Sequence, residues 1–308
     1  MKILSLSEIK ERIDLSQIIS MQEEGFKAFS AGEVDVPPVG YLKQQTPPGS
    51  YHIKYGLIEN DDVWVAKIAG GPSHLPINGM MIAVSTETGA PKTILQDNGY
   101  LTQLRTAIAG LISAKYLAPK NIEAIGVLGT GGQARMQVDI LRHHTTCRNA
   151  YVWGRSPEKA IAYQKDMEQK GFNVTIVQNP AEVAQHCNLI ITTTSARAPL
   201  LMASDIRPGT HITAMGADAP GKIELDPKLI ALADCVVVDS KQQCIDHGEI
   251  AHAYTENLIA DKDLIELGEV IANPSLGRKE DSQITVCDLT GVAVQDIQIT
   301  KAILEKDE

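Results

Sequence analysis

The loop at residues 129–134 is the feature that most constrains what this chain can fold into. It consists of Gly129-Thr130-Gly131-Gly132-Gln133-Ala134, follows the apolar stretch 122–128 directly, and precedes a helical pattern. The order G-x-G-x-x-A between a strand and a helix is typical of a dinucleotide-binding fold. Gly129 allows the tight turn, Gly131 lets the backbone approach a pyrophosphate, and Ala134 permits close packing of helix against strand. The start of the helix then offers free N–H groups and the positive end of its dipole to phosphates.

The region after Ala118-Pro119-Lys120 has the alternating pattern of a doubly wound α/β sheet. Predicted strands cover 122–128, 150–153, 173–177, 188–193, 210–215 and 235–238, and predicted helices cover 132–142, 157–170, 180–186 and 227–233. We therefore expect a Rossmann domain at 119–289. The strand-like run 283–287 and the helix after Gly291 are expected to cross back to the first domain, so that domain is discontinuous in sequence.

The first part of the chain lacks the alternation of strands and helices. Residues 7–32 have the apolar spacing of an amphipathic helix, and the Pro-rich stretch 36–50 is expected to be extended or looped. Short strand-like runs follow at 51–58, 63–69, 79–85 and 92–96, and a helix is predicted at 102–118. Successive strands joined by short turns indicate a mostly antiparallel sheet.

The composition is that of an acidic, folded chain. Its 308 residues include 28 Lys and Arg against 38 Asp and Glu, a formal net charge of −10. With 3 Phe, 2 Trp and 8 Tyr it also has few stacking platforms, so we predict no nucleic-acid partner. No apolar run approaches the ~20 residues that span a bilayer, and the N-terminal residues are charged where a signal peptide is apolar. The five cysteines are scattered and never spaced C-x-x-C, which indicates reduced thiols, no metal site and a cytoplasmic protein without membrane contact.

The end of the second Rossmann strand bears on the choice of cofactor. An NAD-preferring site normally has an Asp or Glu there, which accepts a hydrogen bond from the ribose 2′-hydroxyl. This chain has Gly154-Arg155-Ser156 instead, and Arg155 with Ser156 suits a 2′-phosphate. We predict NADP(H), with NAD(H) as the alternative, because Arg155 can also be a solvated residue ahead of a helix. Further cofactor contacts are expected from Thr192, Thr193 and Thr194, which also suit a strand by β-propensity, and from Met215 and Gly216.

Three charged residues stand where a charge is costly. Lys67 lies within the apolar run 63–69, where a buried ammonium needs a partner or loses its charge. This position predicts a catalytic or carboxylate-binding lysine, unless the side chain points outward from an edge strand. Thr102 is predicted to cap a helix, which places Arg105 in the first turn, where a substrate carboxylate or cofactor phosphate would offset its unfavourable position. Asp218 follows the strand 210–215 on the cofactor side, where it can act as a general acid or base or simply form the turn.

Taken in order, these segments resemble the ornithine cyclodeaminase/mu-crystallin family. The matching pieces are the strand that ends at Lys67, Gly79-Met-Met-Ile with Thr88-Gly89, Leu101-Thr-x-x-Arg105-Thr-Ala107, the loop 129–134, Thr192-Thr-Thr194, Gly216-Ala-Asp218-x-Pro-Gly-Lys222-x-Glu-Leu-Asp226, and Gly291-x-Ala293-x-x-Asp296. The resemblance extends over nearly the whole chain. It implies an α/β protein of two domains: a discontinuous α+β domain for substrate binding and dimerisation, residues 1–118 completed by about 290–308, and a Rossmann domain that binds a nicotinamide cofactor.

The same resemblance assigns roles to the three charged residues. Lys67 and Arg105 would bind the substrate carboxylate, and Asp218 would handle the proton on the substrate nitrogen. Members of the family include cyclodeaminases, alanine dehydrogenases, ketimine, pyrroline-2-carboxylate and iminosuccinate reductases, and a lens protein that binds NADPH and thyroid hormone. The implied partner is therefore a small amino or imino acid.

One departure from the family pattern concerns the carboxylate ligands. The family often has an arginine after the Pro-Pro pair, whereas here that position is Val39. His52 and Lys54 are two residues apart, so on a strand they share a face. We hypothesise that Lys54, with His52, replaces the missing arginine.

We predict an NADPH-dependent enzyme that reduces a 2-imino acid of ketimine, pyrroline-2-carboxylate or iminosuccinate type. In it Lys67 and Arg105 hold the substrate and Asp218 supplies or relays the proton. Two alternatives stay open: a cyclodeaminase that converts ornithine to proline and ammonia with bound NAD⁺, and a protein that binds NADPH and a small acid without turnover. A homodimer through the first domain is expected, with the small-residue helix segment 107–114 suited to close packing.

Overall fold

The computed structural model describes residues 1–72, 74–75 and 77–307 and divides the chain into two units. Unit 1 comprises Met1–Thr106 with Val292–Glu308, and unit 2 comprises Ala107–Gly291. The first boundary falls inside a helix, ahead of the predicted boundary at 118.

Unit 1 begins with a strand. Two helices follow it, where the sequence pattern predicted one. In chain order the elements are β1 (Lys2–Ser5), α1 (Leu6–Glu11), α2 (Leu15–Ser30), β2 (Val34–Asp35), β3 (Gly40–Gln44), β4 (Gly49–Ile58), β5 (Val63–Pro72), β6 (Asn78–Ser85), β7 (Pro91–Gln96) and α3 (Tyr100–Leu117). The predicted helix 7–32 is wrong as one piece, because Asp14 caps α2 by accepting a hydrogen bond from the backbone N–H of Gln17. The prediction that 36–50 is extended or looped is confirmed: this stretch contains β3, which pairs with β4.

The sheet of unit 1 has the order β1-β7-β6-β5-β4-β2, with β3 also paired to β4. Its pairs are antiparallel except for β1 with β7. This confirms the mostly antiparallel sheet. The last helix of the chain, α11 (Ala293–Leu304), belongs to this unit and packs on β4, β5 and α2. β5 is thereby an inner strand with a helix over one of its faces.

Unit 2 contains the alternating strands and helices. They are β8 (Ile125–Leu128), α4 (Gly132–Ile140), β9 (Asn149–Trp153), α5 (Pro157–Gln169), β10 (Asn173–Ile176), α6 (Pro180–His186), β11 (Leu189–Thr192), β12 (Arg197–Leu201), β13 (His211–Ala214), β14 (Ile223–Leu225), α7 (Pro227–Leu232), β15 (Cys235–Val238), α8 (Lys241–His247), α9 (Ile250–Thr255), β16 (Leu264–Glu266), α10 (Leu267–Ala272) and β17 (Thr285–Asp288).

The main sheet of unit 2 is parallel, with the order β10-β9-β8-β11-β13-β17-β15-β16, while β12 and β14 form a small separate sheet. Strand order reverses beside β8, which is the topological switch point at which such sheets bind ligands. The predicted α/β fold with a doubly wound Rossmann sheet is confirmed. The expectation that the run 283–287 returns to the first domain is wrong, because β17 pairs with β13 and β15 in this sheet.

No helix in the described ranges is both long and apolar enough to cross a membrane.

Candidate functional site

Lys67 is buried in the middle of the sheet of unit 1. It lies on β5, between β4 and β6, and its side chain is 3% exposed, so the alternative of an outward-pointing residue on an edge strand is wrong. Burial lowers the pKa of Lys67 to about 7, helped by the charges of Arg105 and Lys54 and opposed by Asp296. Near neutral pH this ammonium is therefore poised to gain or lose its proton.

Asp296, in the first turn of α11, is the counter-ion of Lys67. Its Oδ2 lies 2.8 Å from Lys67 Nζ, and its Oδ1 accepts hydrogen bonds from Lys67 Nζ and from Arg105 Nε, each at 3.0 Å. Arg105 Nη1 also donates to Gln295 Oε1 at 3.1 Å. Burial acts to raise the pKa of Asp296, but the charges of Lys67 and Arg105 outweigh it and hold the pKa below its usual range. The carboxylate is thus ionised between two buried cations.

Arg105 is farther into its helix than the sequence pattern predicts. Helix α3 begins at Tyr100, and Asp97 Oδ2 accepts a hydrogen bond from the backbone N–H of Leu101 at 2.7 Å. The prediction that Thr102 is the cap and that Arg105 lies in the first turn is therefore wrong. What offsets the buried charge of Arg105 is the carboxylate of Asp296 rather than the end of the helix.

Lys54 lies directly opposite Lys67 in the pairing of β4 with β5. Opposite residues point to the same face of a sheet, and the charge of Lys54 lowers the pKa of both Lys67 and Asp296. His52 lies two residues before Lys54 on the same face, and its ring stands edge-on to the ring of Tyr41 with centroids 5.1 Å apart. The two buried cations, Lys67 and Arg105, share the carboxylate of Asp296, and this arrangement suits a further anionic ligand.

Unit 2 contains a separate cleft of about 670 Å³ at the switch point of its sheet. Its lining comes from the Gly-rich loop, the end of β9 and the segment after β11: Gly129, Thr130, Gly131, Trp153, Gly154, Arg155, Ser156, Lys159, Thr193, Thr194, Ser195, Ala196, Arg197, Ala198 and Leu200. Eight of the residues predicted to bind the cofactor are in this lining, namely Gly129, Thr130, Gly131, Gly154, Arg155, Ser156, Thr193 and Thr194.

The Gly-rich loop has the backbone geometry that its glycines predict. Gly129 has φ of +122°, and a Cβ at this position would lie 2.4 Å from Thr193 Oγ1, so only glycine fits. Gly131 is the N-cap of α4, where no side chain caps the helix and a Cβ would meet open space. The first N–H groups of α4 are therefore left without a capping side chain beside an open cleft.

Among the described residues, the charged side chains that line the cleft are all cationic. Arg155, Lys159 and Arg197 contribute the charges, and Lys159 and Arg197 were missed by the sequence analysis. Ser156 has a structural task as well, because its Oγ caps α5 by accepting from the backbone N–H of Lys159 at 3.2 Å. The chemistry of this lining suits an anionic ligand.

Six other residues predicted to bind the cofactor are outside this lining, and Arg105 belongs to unit 1. Gly132 and Gln133 form the first turn of α4, and Ala134, Thr192, Met215 and Gly216 are buried. Thr193 Oγ1 donates to the carbonyl of Leu128 at 3.1 Å, which ties the segment after β11 to β8. Met215 accepts a hydrogen bond at its Sδ from Gln137 at 2.7 Å.

Asp218 lies in the loop after β13, with its side chain 54% exposed. It forms an ion pair with Lys222, four residues later in the same loop. An exposed pair of this kind is weak, so the carboxyl group stays available to a ligand.

Two residues of the site were missed by the sequence analysis although they stand in quoted motifs. Asp296 ends the motif Gly291-x-Ala293-x-x-Asp296, and Glu224 lies in the motif that begins at Gly216. Glu224 is fully buried and accepts hydrogen bonds from the backbone N–H groups of Thr194 and Gly216. An acid within an otherwise apolar strand, Ile223–Leu225, was the available signal.

Comparison with known proteins accounts for the whole chain. The model of the ornithine cyclodeaminase/mu-crystallin family matches residues 1–308. An uncharacterised cyclodeaminase of Sinorhizobium fredii is 36% identical over 318 residues, which cover 100% of this chain and 96% of that protein. An archaeal alanine dehydrogenase dimer with bound NAD gives a TM-score of 0.90 at 32% identity, covering 100% of this chain and 97% of its own. The Δ¹-pyrroline-2-carboxylate reductase of Thermococcus litoralis, in complex with NADH and L-proline, gives 0.92 at 26% identity, covering 99% and 97%.

Proposed function

The chain belongs to the ornithine cyclodeaminase/mu-crystallin family, and we propose that it is an NADP(H)-dependent enzyme that reduces the C=N bond of a 2-imino acid. The observation that carries the proposal is the buried cluster of Lys67, Arg105 and Asp296, with Lys54 beside it. Buried cations are costly unless anions offset them, and the single carboxylate of Asp296 is shared between the two buried cations Lys67 and Arg105. The carboxylate of an amino or imino acid is an anion of the required kind.

The cleft of unit 2 fits a nicotinamide dinucleotide. The uncapped start of α4 and the open space at Gly131 suit the pyrophosphate, which would be held by backbone N–H groups. Thr193 and Thr194 would contact the neighbouring ribose or phosphate groups. When bound, the cofactor supplies the hydride that the C=N carbon receives.

The preference for NADP(H) rests on charge. Arg155 and Lys159 lie at the end of β9 and the start of α5, where the 2′ position of the adenosine ribose binds in this fold. None of the described residues in the lining is an Asp or Glu that could accept a hydrogen bond from a 2′-hydroxyl. A 2′-phosphate would gain charge-assisted hydrogen bonds from these cations, whereas a hydroxyl would not. Because two of the similar solved structures contain NAD or NADH, activity with NADPH is to be compared with activity with NADH.

The residues of unit 1 would bind and orient the substrate. Arg105 and the protonated form of Lys67 would hold the carboxylate, with Asp296 keeping both cations in place. Reduction adds a hydride to carbon and leaves a proton to be placed on nitrogen. Asp218 would supply or relay that proton, which its weak surface pair with Lys222 permits.

A panel of imines tests the proposal. Loss of NADPH absorbance would be followed with Δ¹-pyrroline-2-carboxylate, Δ¹-piperideine-2-carboxylate, pyruvate with ammonia and oxaloacetate with ammonia, and repeated with NADH. We expect turnover with at least one imine, and faster turnover with NADPH than with NADH. Absence of turnover across the panel, from protein that still binds NADPH, would contradict the reductase.

Cyclodeamination of ornithine is the second candidate, favoured by the relative from Sinorhizobium fredii that is named an uncharacterised cyclodeaminase. It would release ammonia and proline from ornithine with no net change in cofactor absorbance. Ammonia release from ornithine in the presence of NAD⁺, without reduction of any imine, would favour this candidate.

The proposed assembly is a homodimer through the sheet of unit 1. The face of the sheet opposite Lys67 carries Tyr55, Ile68 and Met80, which are 38%, 38% and 37% exposed although apolar. Ile68 and Met80 are direct neighbours across β5 and β6, so the exposed apolar area is continuous. The helix segment 107–114, predicted to suit a dimer contact, is buried within the single chain and offers no such surface.

A further inference from the structure

Glu224 connects two backbone segments at the edge of the cleft in unit 2. Its Oε1 accepts a hydrogen bond from the backbone N–H of Thr194 at 2.6 Å, and its Oε2 accepts one from the backbone N–H of Gly216 at 3.0 Å. Thr194 follows β11 and Gly216 follows β13, and these two strands are neighbours in the parallel sheet. One side chain thus holds the carboxyl ends of both strands.

The three groups are in direct contact with no spare volume. A Cβ on Gly216 would lie 2.1 Å from Glu224 Oε2 and 2.3 Å from the carbonyl oxygen of Thr194. Because the carbonyl is backbone, it cannot move aside without moving the segment that carries Thr194. The glycine in this motif is therefore required by the approach of Glu224 as much as by any ligand.

Glu224 is itself held in place by a second buried acid. The backbone N–H of Glu224 donates to both carboxylate oxygens of Glu249, at 2.8 and 3.0 Å, and the backbone N–H of Leu225 donates to Glu249 Oε2 at 3.0 Å. Both acids are 0% exposed. Burial raises the pKa of Glu224 and of Glu249, and the charge of Glu224 adds to the shift at Glu249. Burial of two acids costs free energy, so we infer that the position of the segment that carries Thr194 is important for function.

We propose that Glu224 is a positioning residue for the dinucleotide, which acts by fixing Thr194 and the segment after β11 against the cleft. The inference rests on the proposed cofactor site, because Thr193 and Thr194 line that cleft. The two N–H groups donate to different oxygens of the side chain, and a carboxylate is the side chain whose two oxygens both accept. With the segment held before the ligand arrives, binding does not have to include the cost of ordering it.

The test is Glu224→Gln, which keeps the size of the side chain but replaces one acceptor oxygen by an NH₂ donor. Its amide would face a backbone N–H, and one of the two segments would lose its anchor. We expect the Kd for NADPH, measured by calorimetry on the intact protein, to rise roughly tenfold, because the ligand would then have to order the released segment itself. At saturating NADPH, the KM for the imine should change less than twofold.

Asp234→Asn is the matched control. The Oδ2 of Asp234 accepts a hydrogen bond from the backbone N–H of Ile284 at 2.7 Å, so this variant also weakens a bond between a carboxylate and the backbone within unit 2. Asp234 and Ile284 lie at the amino ends of β15 and β17, whereas Thr194 and Gly216 follow the carboxyl ends of β11 and β13. The Kd for NADPH should stay within twofold of the wild-type value in this variant.

A measurement on the wild-type chain keeps the inference testable if Glu224→Gln does not fold. Without nucleotide, hydrogen exchange of the Thr194 and Gly216 amides should be as slow as in the sheet, because Glu224 already holds them. Fast exchange at both amides would overturn the proposal, as would an unchanged Kd in folded Glu224→Gln. Failure of every imine to react, with the Kd effect intact, would contradict the proposed reaction but leave the role of Glu224. A chain that binds neither NADPH nor NADH would overturn both.

Discussion

Asp296 holds the ammonium of Lys67 with both of its carboxylate oxygens, at 2.8 and 3.0 Å, although 229 positions separate the two residues in the chain. Both side chains are at most 3% exposed. The pair joins the inner strand β5 to the last helix α11, so the end of the chain is part of the candidate active site. Arg105 completes the cluster through the same carboxylate.

The first prediction concerns Asp296→Asn. Asp296 raises the pKa of Lys67, whereas burial and the charges of Arg105 and Lys54 lower it to about 7. Without the carboxylate the pKa of Lys67 falls further, so the cation is lost at a lower pH. In the variant, kcat/KM should begin to decline at a pH about one unit lower than in the wild type, and should be roughly tenfold lower at pH 7.5. A pH profile of kcat/KM measures this directly.

Asp61→Asn is the control for that profile. Asp61 pairs with Lys301 on the same helix at 2.7 Å, outside the cluster. A general weakening of α11 would affect both variants, whereas a change in the charge of Lys67 would affect only the first. Identical pH profiles for Asp296→Asn and the wild type would show that Asp296 does not govern Lys67.

The features that could be predicted from the sequence are those carried by neighbouring residues. Strand, glycine loop and helix at 122–142 are contiguous, so their chemistry is readable from one short window. The buried charge of Lys67 is likewise visible within its own strand. The roles of Asp296 and Glu224 could not be predicted from their motifs, because the residues that they bind are distant in the sequence and are brought close only by the fold.

The start of α3 shows a local failure of another kind. Thr102 has the residue type of an N-cap, but it is Asp97 that accepts a hydrogen bond from the backbone N–H of Leu101. Between Asp97 and the helix lies a turn in which Asn98 and Gly99 have φ of +52° and +79°. That left-handed turn brings Asp97 back to the helix, an arrangement that cap preferences alone do not reveal. The two merged helices at the N-terminus have a similar cause, since Asp14 inside the apolar pattern is a cap.

The second prediction concerns Lys54→Met. Lys54 is opposite Lys67 and is the hypothesised replacement for the family arginine at Val39. Removal of one cation should weaken binding of the substrate carboxylate, so KM should rise roughly tenfold while kcat changes little. Lys92→Met, which removes a more exposed lysine paired with Asp62 in the same unit, should leave KM unchanged. An unaltered KM in Lys54→Met would refute the hypothesis.

The third prediction concerns Asp218→Asn. If Asp218 handles the proton on the substrate nitrogen, its amide should lower kcat by about 10²-fold or more and leave the Kd for NADPH unchanged. Lys222→Met is the control, because it removes the ion-pair partner but keeps the carboxyl group. Steady-state kinetics and calorimetry on both variants separate the roles. Equal losses of kcat in the two variants would assign the effect to the ion pair instead.

The fourth prediction concerns cofactor choice. Arg155→Ala removes a cation from the end of β9 without touching the Gly-rich loop. The ratio of kcat/KM for NADPH to that for NADH should fall roughly tenfold, mostly through weaker NADPH binding. Arg207→Ala, which breaks an exposed pair with Glu123 elsewhere in unit 2, should leave the ratio unchanged. A constant ratio in Arg155→Ala would remove this arginine from the recognition of the 2′-phosphate.

The fifth prediction concerns assembly. Ile68→Asp places a charge at the centre of the exposed apolar face formed with Tyr55 and Met80. Because Ile68 is 38% exposed in the single chain, the substitution should spare the fold but make burial against a second copy unfavourable. Light scattering after size exclusion should give a dimer for the wild type and a monomer for the variant. Ile161→Asp on α5, where the side chain is 59% exposed in unit 2, should remain dimeric. A dimer that survives Ile68→Asp would place the contact on another surface of the chain.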